Sequence, residues 1–321
     1  MANQTTVTEF VLLGFADLRE LQVLHSVVFL AIYLVALAGN FLLIAAVAPN
    51  HHLHSPMYFF LVNLSIVDAC YISTTVPKST VNSLMSSKQI SFSGCIAQVF
   101  LVIMFTSAEL FFLTAMAYDR YAAICHPLRY QLIMNWNVCL QMAAASWVTS
   151  VTIAVVDTVN TFSLHFCQSN IIEQYFCDIP QLLKISCTDT ATAQSFVLAG
   201  TLSFGSFCFT FIFVSYVYIF SAVFKIQSAQ SRQKAFSTCT PHLTVFCLFF
   251  FTASFSYMRP KALSSPTVDL LAAVLYTALP PVMNPIIYSL RNKDIQLALG
   301  RAMTNMPCIS WVGLEEMDPK H

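Results

Sequence analysis

Charge is what this chain has least of. Only 9% of its 321 residues are Asp, Glu, Lys or Arg, whereas a soluble surface usually carries about 25–35% of them. With 57% hydrophobic residues and a mean hydropathy of +0.69, the chain belongs in a bilayer. Net charge is zero and the basic residues are scattered, so there is no electrostatic footprint for nucleic acid. The eight histidines form no HExxH or comparable ligand spacing and no serine-nucleophile motif appears, which argues against an enzyme. The two halves show no self-similarity, which argues against an inverted-repeat transporter. Met1 to Val23 holds Glu9, Asp17, Arg19 and Glu20 but no apolar core followed by a cleavage site, so a removed signal peptide is not expected.

What the chain does have is seven long apolar stretches. A spanning helix needs about 20 apolar residues to cross a core roughly 30 Å thick. Leu24–Ala48, Met57–Thr80, Ser93–Met116, Asn137–Asp157, Ser195–Phe224, Ala235–Met258 and Leu270–Leu290 qualify. They are twice the length of a barrel strand and lack its period-2 alternation. The expectation is an all-α membrane protein, a seven-transmembrane helix bundle. It divides into an extracellular amino terminus (1–23), the bundle (24–291), an amphipathic interfacial helix (292–303) and a cytoplasmic tail (304–321).

Lys and Arg bias places Arg120, Arg129, Lys225, Arg232, Lys234, Arg291, Lys293 and Arg301 inside, and so the amino terminus outside. Asn3-Gln4-Thr5 agrees, as a glycosylation sequon expected to be used at Asn3, whereas Asn63-Leu64-Ser65 falls inside a span. Of eleven cysteines, Cys95, Cys167, Cys177 and Cys187 fall on the outer side, where disulfides persist, and four cysteines allow three connectivities. Cys308, beyond the short amphipathic helix, reads as a palmitoylation site or an unmodified thiol.

Polar residues inside the spans are costly and mark function. Asp68 and Glu109 sit near the midplane of the second and third spans. With Asn40 and Asn284 they form either an oxygen site for a sodium ion or a hydrogen-bonded network with protonated acid. On the third span, Glu109 lies 11 residues before Arg120, which returns it to nearly the same helix face, and Thr106, Ile103 and Val102 extend that stripe. Asp119 can hold Arg120 as a latch through a charge-assisted hydrogen bond. Pro285 weakens the seventh helix between Asn284 and Tyr288, which stand one turn apart.

The motifs Gly39-Asn40, Leu53 to Phe59 (LHSPMYF), Met116 to Tyr130 (MAYDRYAAICHPLRY), Ser215-Tyr216, Lys234 to Cys239 (KAFSTC) and Pro280 to Asn292 (PPVMNPIIYSLRN) fall in order along the chain. In these blocks the chain resembles the olfactory receptors, within the rhodopsin-like G-protein-coupled receptors. The resemblance implies an odorant receptor in the plasma membrane that binds small, mostly neutral volatiles and activates a stimulatory heterotrimeric G protein, raising cyclic AMP. Sensing of a small metabolite in a non-olfactory tissue is the alternative. The resemblance further implies disulfides Cys95–Cys177 and Cys167–Cys187, and an activation set of Asp119, Arg120, Tyr121, Tyr216, Asn284, Pro285 and Tyr288. Its ligand site would be drawn from Val102, Ile103, Thr106, Phe204, Ala253, Tyr257 and Thr277. No resident cofactor is implied beyond an allosteric sodium ion, and nothing in the sequence speaks to dimerisation. Two departures stand out: Pro241 where the family usually has serine, and Phe250 where tyrosine is common.

Overall fold

The computed structural model describes residues 7–14, 18–49, 55–85, 87–166, 169–187, 191–257, 265–291 and 293–304. Asn3, Cys167, Cys308 and the tail lie outside the described residues, as does the side chain of Tyr257. The helices are α1 (Arg19–Val47), α2 (Pro56–Met85), α3 (Phe92–Cys125), α4 (Tyr130–Ile133), α5 (Trp136–Phe162), α6 (Ile179–Lys184), α7 (Ala191–Phe224), α8 (Ala229–Tyr257), α9 (Pro266–Arg291) and α10 (Lys293–Thr304). Seven are long and apolar enough to cross a membrane: α1, α2, α3 and α5, with Ser203–Phe224 of α7, Ala229–Ser256 of α8 and Thr267–Leu290 of α9.

Local chemistry sets the helix ends. Pro56 begins α2, where its missing N–H costs nothing. The Ser91 hydroxyl accepts from Gly94 N at 3.1 Å to start α3, and Asn135 Oδ1 accepts from Val138 N at 3.1 Å to start α5. Several helices outrun the apolar stretches that foretold them. The third continues nine residues past Met116 to Cys125, and the first begins at Arg19, ahead of Leu24. Hydropathy registers where lipid begins, while the hydrogen-bond ladder continues wherever its ends are satisfied. Arg19 uses its guanidinium this way, donating to the Ser83 and Leu84 carbonyls at 2.8 and 2.6 Å and so closing the far end of α2.

In the bundle α2 is the most enclosed span, 61% buried over its apolar window, and α1 the least, at 22%. The helix α3 packs on α2, α5 and α7, so it runs through the middle. Its buried residues Phe112, Leu113 and Met116 share one core with Tyr216 of α7 and Tyr288 of α9. In α10, Ile295 and Ala298 are buried in the same core while Leu297 is exposed.

The end of the bundle where α3 begins is closed by a small sheet that hydropathy did not anticipate. Strand β1 (Glu9–Leu12) lies between β2 (Gln89–Ser91) and β3 (Ile171–Ile172), antiparallel to the first and parallel to the second. Phe10 is fully buried beneath it against Phe92 and Phe166, with ring centroids 5.8 and 5.6 Å apart.

Candidate functional site

Three polar levels lie along α3. At the sheet end, Cys95 is bonded to Cys177 with their Cα atoms 5.6 Å apart, and Gln98 Oε1 accepts from Cys177 N at 2.8 Å. Cys187 is also disulfide-bonded, while its expected partner lies outside the described residues. The loop that carries Cys177 then turns into the bundle. Gln174 Nε2 donates to Asp269 O at 3.2 Å, Tyr175 is hydrogen-bonded to Thr277, and Tyr276 donates to Asp178 Oδ2 at 3.4 Å. The Tyr175 ring stacks edge-on with Phe29 and Phe176. Burial pushes the Tyr175 phenol up, so its proton stays in place.

The expected ligand residues divide at this level. Val102 and Thr277 are buried, Ile103 is half-buried against the cluster under the sheet, and Ala253 is half-buried on α8. The Thr106 hydroxyl oxygen is buried with no hydrogen-bond partner among the described residues. Phe204 is 44% exposed. It stands four residues ahead of Cys208 on one stripe, but among the described residues of α7 burial starts only at Cys208. A separate groove of about 460 Å³ lies lower, between α3, α5 and α7, lined by Phe111, Tyr118, Met142 and Phe211 among others and by none of the expected ligand residues.

At the middle level, Asn284 Nδ2 bridges the two acids, donating to Asp68 Oδ2 at 3.0 Å and to Glu109 Oε1 at 3.2 Å. Asp68 and Glu109 are fully buried. Asn40 makes no hydrogen bond to them among the described residues. Its amide nitrogen donates to the Ala36 and Pro281 carbonyls, both at 2.9 Å, because Pro285 in α9 leaves a helix with spare acceptors nearby. Oxygens left without a hydrogen-bond partner among the described residues are Asp68 Oδ1, Glu109 Oε2, Asn284 Oδ1 and Asn40 Oδ1. Gly39 lets α1 approach α9, since a Cβ there would sit 3.0 Å from Pro285 Cγ.

At the far end, Asp119 and Arg120 form an ion pair at 3.8 Å, longer than the hydrogen bond expected from sequence. The short bond goes elsewhere: Tyr130 donates to Asp119 Oδ1 at 2.6 Å from α4. Burial, and after it the Asp119 charge, raise the Tyr130 phenol, which keeps it a donor. Tyr121 instead pairs with His126 Nε2 at 3.1 Å. Tyr216 bonds His242 Nδ1 at 2.8 Å, and His242 Nε2 lies 2.8 Å from the Leu113 carbonyl. A carbonyl only accepts, so Nε2 carries the proton and Nδ1 accepts from the Tyr216 hydroxyl. One imidazole thus ties α8 to both α3 and α7. Tyr288 is buried and its hydroxyl has no hydrogen-bond partner among the described residues.

Sequence reading missed Tyr130, His242, Gln98 and Tyr175. Tyr130 closes the MAYDRYAAICHPLRY block and His242 follows Pro241, so both stood beside residues already singled out. Gln98 and Tyr175 carry no local signal, because their partners are 79 and 102 residues away.

A seven-helix bundle with a disulfide at the start of its central helix and a charged pair at that helix's other end is the architecture of a rhodopsin-type receptor. Squid rhodopsin matches over 90% of this chain and 82% of its own, with a TM-score of 0.72 at 15% sequence identity, a likeness of fold alone. A family model described as olfactory receptor matches residues 29–306. Human olfactory receptors 14C36 and 14A16 are each 50% identical to the chain, over 303 and 300 residues, covering 94% of it and 97% of each relative. The chain belongs to the olfactory receptor family, a family of multi-pass membrane receptors and not of enzymes.

Proposed function

We propose that the protein is an odorant receptor of the plasma membrane, amino terminus outside, that binds small, mostly neutral volatiles and activates a stimulatory heterotrimeric G protein to raise cyclic AMP. The observation that carries this reading is the single rod α3. It holds the disulfide-stapled loop at one end, the Asn284-bridged acids midway, and the Asp119 cluster at the other. Cys95 and Arg120 are 25 residues apart, about 37 Å at helical rise. A ligand among Val102, Ile103, Thr106, Ala253, Tyr257 and Thr277 therefore bears on the same element as the inner latch. Release of Asp119 frees Arg120 toward the space between α3 and α8. Tyr216, held by His242, and Tyr288 receive it there, and Pro285 supplies the bend in α9.

The middle level fits a small hard cation by its chemistry. Two carboxylates facing one amide cannot both keep an uncompensated charge inside the bundle, so a proton or a cation accompanies them. The unpartnered oxygens of Asp68, Glu109 and Asn284 are donors of the kind sodium takes. A sodium-dependent change in thermal stability of the parent, lost in Asp68→Asn, supports the ion, and equal behaviour of parent and variant supports the network.

The test of function is a cyclic-AMP reporter assay against a broad volatile panel, with Arg120→Ala at matched surface expression. Ligand-dependent signal that vanishes in Arg120→Ala is the expected result. Signal that survives that substitution refutes the latch, and ligand response without cyclic AMP refutes the coupling.

A further inference from the structure

The groove between α3, α5 and α7 is a different kind of space from the expected ligand site. Both α5 and α7 pack along α3 but scarcely against each other, which leaves a trough floored by Phe111, Thr114 and Tyr118 of α3. Phe211 forms the α7 wall, with its ring 6.2 Å from that of Tyr118. On the α5 side Ala145, Ser146 and Thr149 make a low wall of small side chains. At the rims Val148 is 66% exposed and Phe207 63%, so in a membrane the groove opens to hydrocarbon. Thr149 is the middle residue of the 27 in α5, which sets that end of the groove near mid-bilayer.

Four hydroxyls line this otherwise apolar space. Two are spent on their own helices: Thr114 donates to the Leu110 carbonyl at 2.8 Å and Ser146 to the Met142 carbonyl at 2.9 Å. The hydroxyls of Tyr118 and Thr149 make no hydrogen bond among the described residues. Thr149 can turn back to its own helix as Thr114 does, but the Tyr118 hydroxyl stands too far from its backbone to do so. An acyl chain filling the groove leaves both unanswered, and a hydroxyl without a partner in an apolar medium costs about 1–3 kcal/mol.

A fitting guest is therefore small and apolar with one hydroxyl. The groove volume, about 460 Å³, falls in the range of about 300–1,000 Å³ usual for small-molecule sites. The rings of Phe111, Tyr118 and Phe211 favour an aromatic guest through stacked or edge-on contact. No charged residue lines the groove, so the guest is neutral.

The geometry points to a second binding site, entered from the lipid, that takes a hydrophobic phenol between α5 and α7, with Tyr118 and Thr149 as its polar anchors. It shares no residue with the expected odorant set and stands whether or not the protein senses volatiles.

The test uses purified full-length receptor in nanodiscs of sterol-free phosphatidylcholine, with a diazirine-bearing 2,6-dialkylphenol as photolabel. Label is expected on groove residues of α3, α5 or α7. The competitor 2,6-diisopropylphenol is expected to displace it at about tenfold lower membrane concentration than 1,3-diisopropylbenzene, which has the same shape without the hydroxyl. Tyr118→Phe/Thr149→Val removes both free hydroxyls and little volume, and should bring the two competitors within about threefold. Ala145→Trp fills the groove from an exposed position and should abolish the label there. If that variant melts well below the parent, the double variant, which keeps the packing, decides alone. Label confined to other surfaces, or spread evenly over lipid-facing residues, overturns the inference. So do equal displacement by phenol and hydrocarbon, a gap unchanged in the double variant, and survival of the groove label in a folded Ala145→Trp. Cholesterol that displaces the label as well as the phenol does makes this a sterol site, and the proposed ligand class fails.

Discussion

The shortest hydrogen bond at the Arg120 end of α3 is also the easiest to remove cleanly. Tyr130→Phe deletes one oxygen and leaves the ring in place. Its partner Asp119 has a side chain only 2% exposed, so no bulk water stands ready to replace the 2.6 Å bond. A hydrogen bond to a charged group is worth about 1.5–3 kcal/mol. The remaining partner, Arg120, sits at 3.8 Å and holds Asp119 by charge alone. In the proposed latch, this loss falls on the resting state and not on the state in which Asp119 has let go. The equilibrium between them then shifts by about 10- to 150-fold, at tenfold per 1.4 kcal/mol. A receptor resting at about 1% active would move to roughly 10–60% active without ligand. The assay is ligand-free cyclic-AMP output at matched surface expression, with Asp119→Asn alongside, which keeps an acceptor for Tyr130 but drops the charge. Basal output of Tyr130→Phe within twofold of the parent would refute the reasoning, because the bond would then be common to both states or energetically idle.

Replacing Cys95 and Cys177 together by serine opens a crosslink spanning 82 residues, for which loop entropy gives about 4–5 kcal/mol, and a thermal melt of the purified receptor should show the loss. An unchanged melting temperature would mean that the sheet and the Gln98 bond hold the loop unaided. Gly39→Val should destabilise by about 1–3 kcal/mol through overpacking against Pro285, and Gly39→Ala by less, read by the same melt. His242→Phe removes both the donor to Leu113 and the acceptor for Tyr216, so it should lower the melting temperature. His242→Gln, whose amide both donates and accepts, should recover part of it; equal losses in the two variants would contradict the proton assignment.

The legible features are those written in runs or in fixed local spacing. Seven apolar stretches announced the spans because lipid leaves a backbone only the helix or the closed barrel, and these runs are too long for barrel strands. Asp68 and Glu109 stood out because carboxylates are expensive there, and the structure joins them through Asn284, which had been named with them. Asn40 shows the limit of such reading, because an amide in a span suits a broken helix as well as an ion site, and its nitrogen serves the Pro281 carbonyl. The ion-pair distance was misjudged because sequence shows that Asp119 and Arg120 are adjacent but not that Tyr130 competes for the carboxylate. Strand β1 was invisible for a further reason. Four residues without a strong alternating pattern become a strand only when two other segments arrive beside them.

That strand imposes an order on biogenesis. Glu9 and Asn170, hydrogen-bonded neighbours at 3.4 Å, are 161 residues apart, so one edge of β1 finds β2 early in synthesis while the other has no mate until β3 has been made. The strand can meet β2 after two spans, but its sheet closes only when β3 arrives after two more. A bulky fusion joined close to Glu9 would burden that last manoeuvre, and a trafficking defect in such fusions would be a failure of closure, not of membrane insertion.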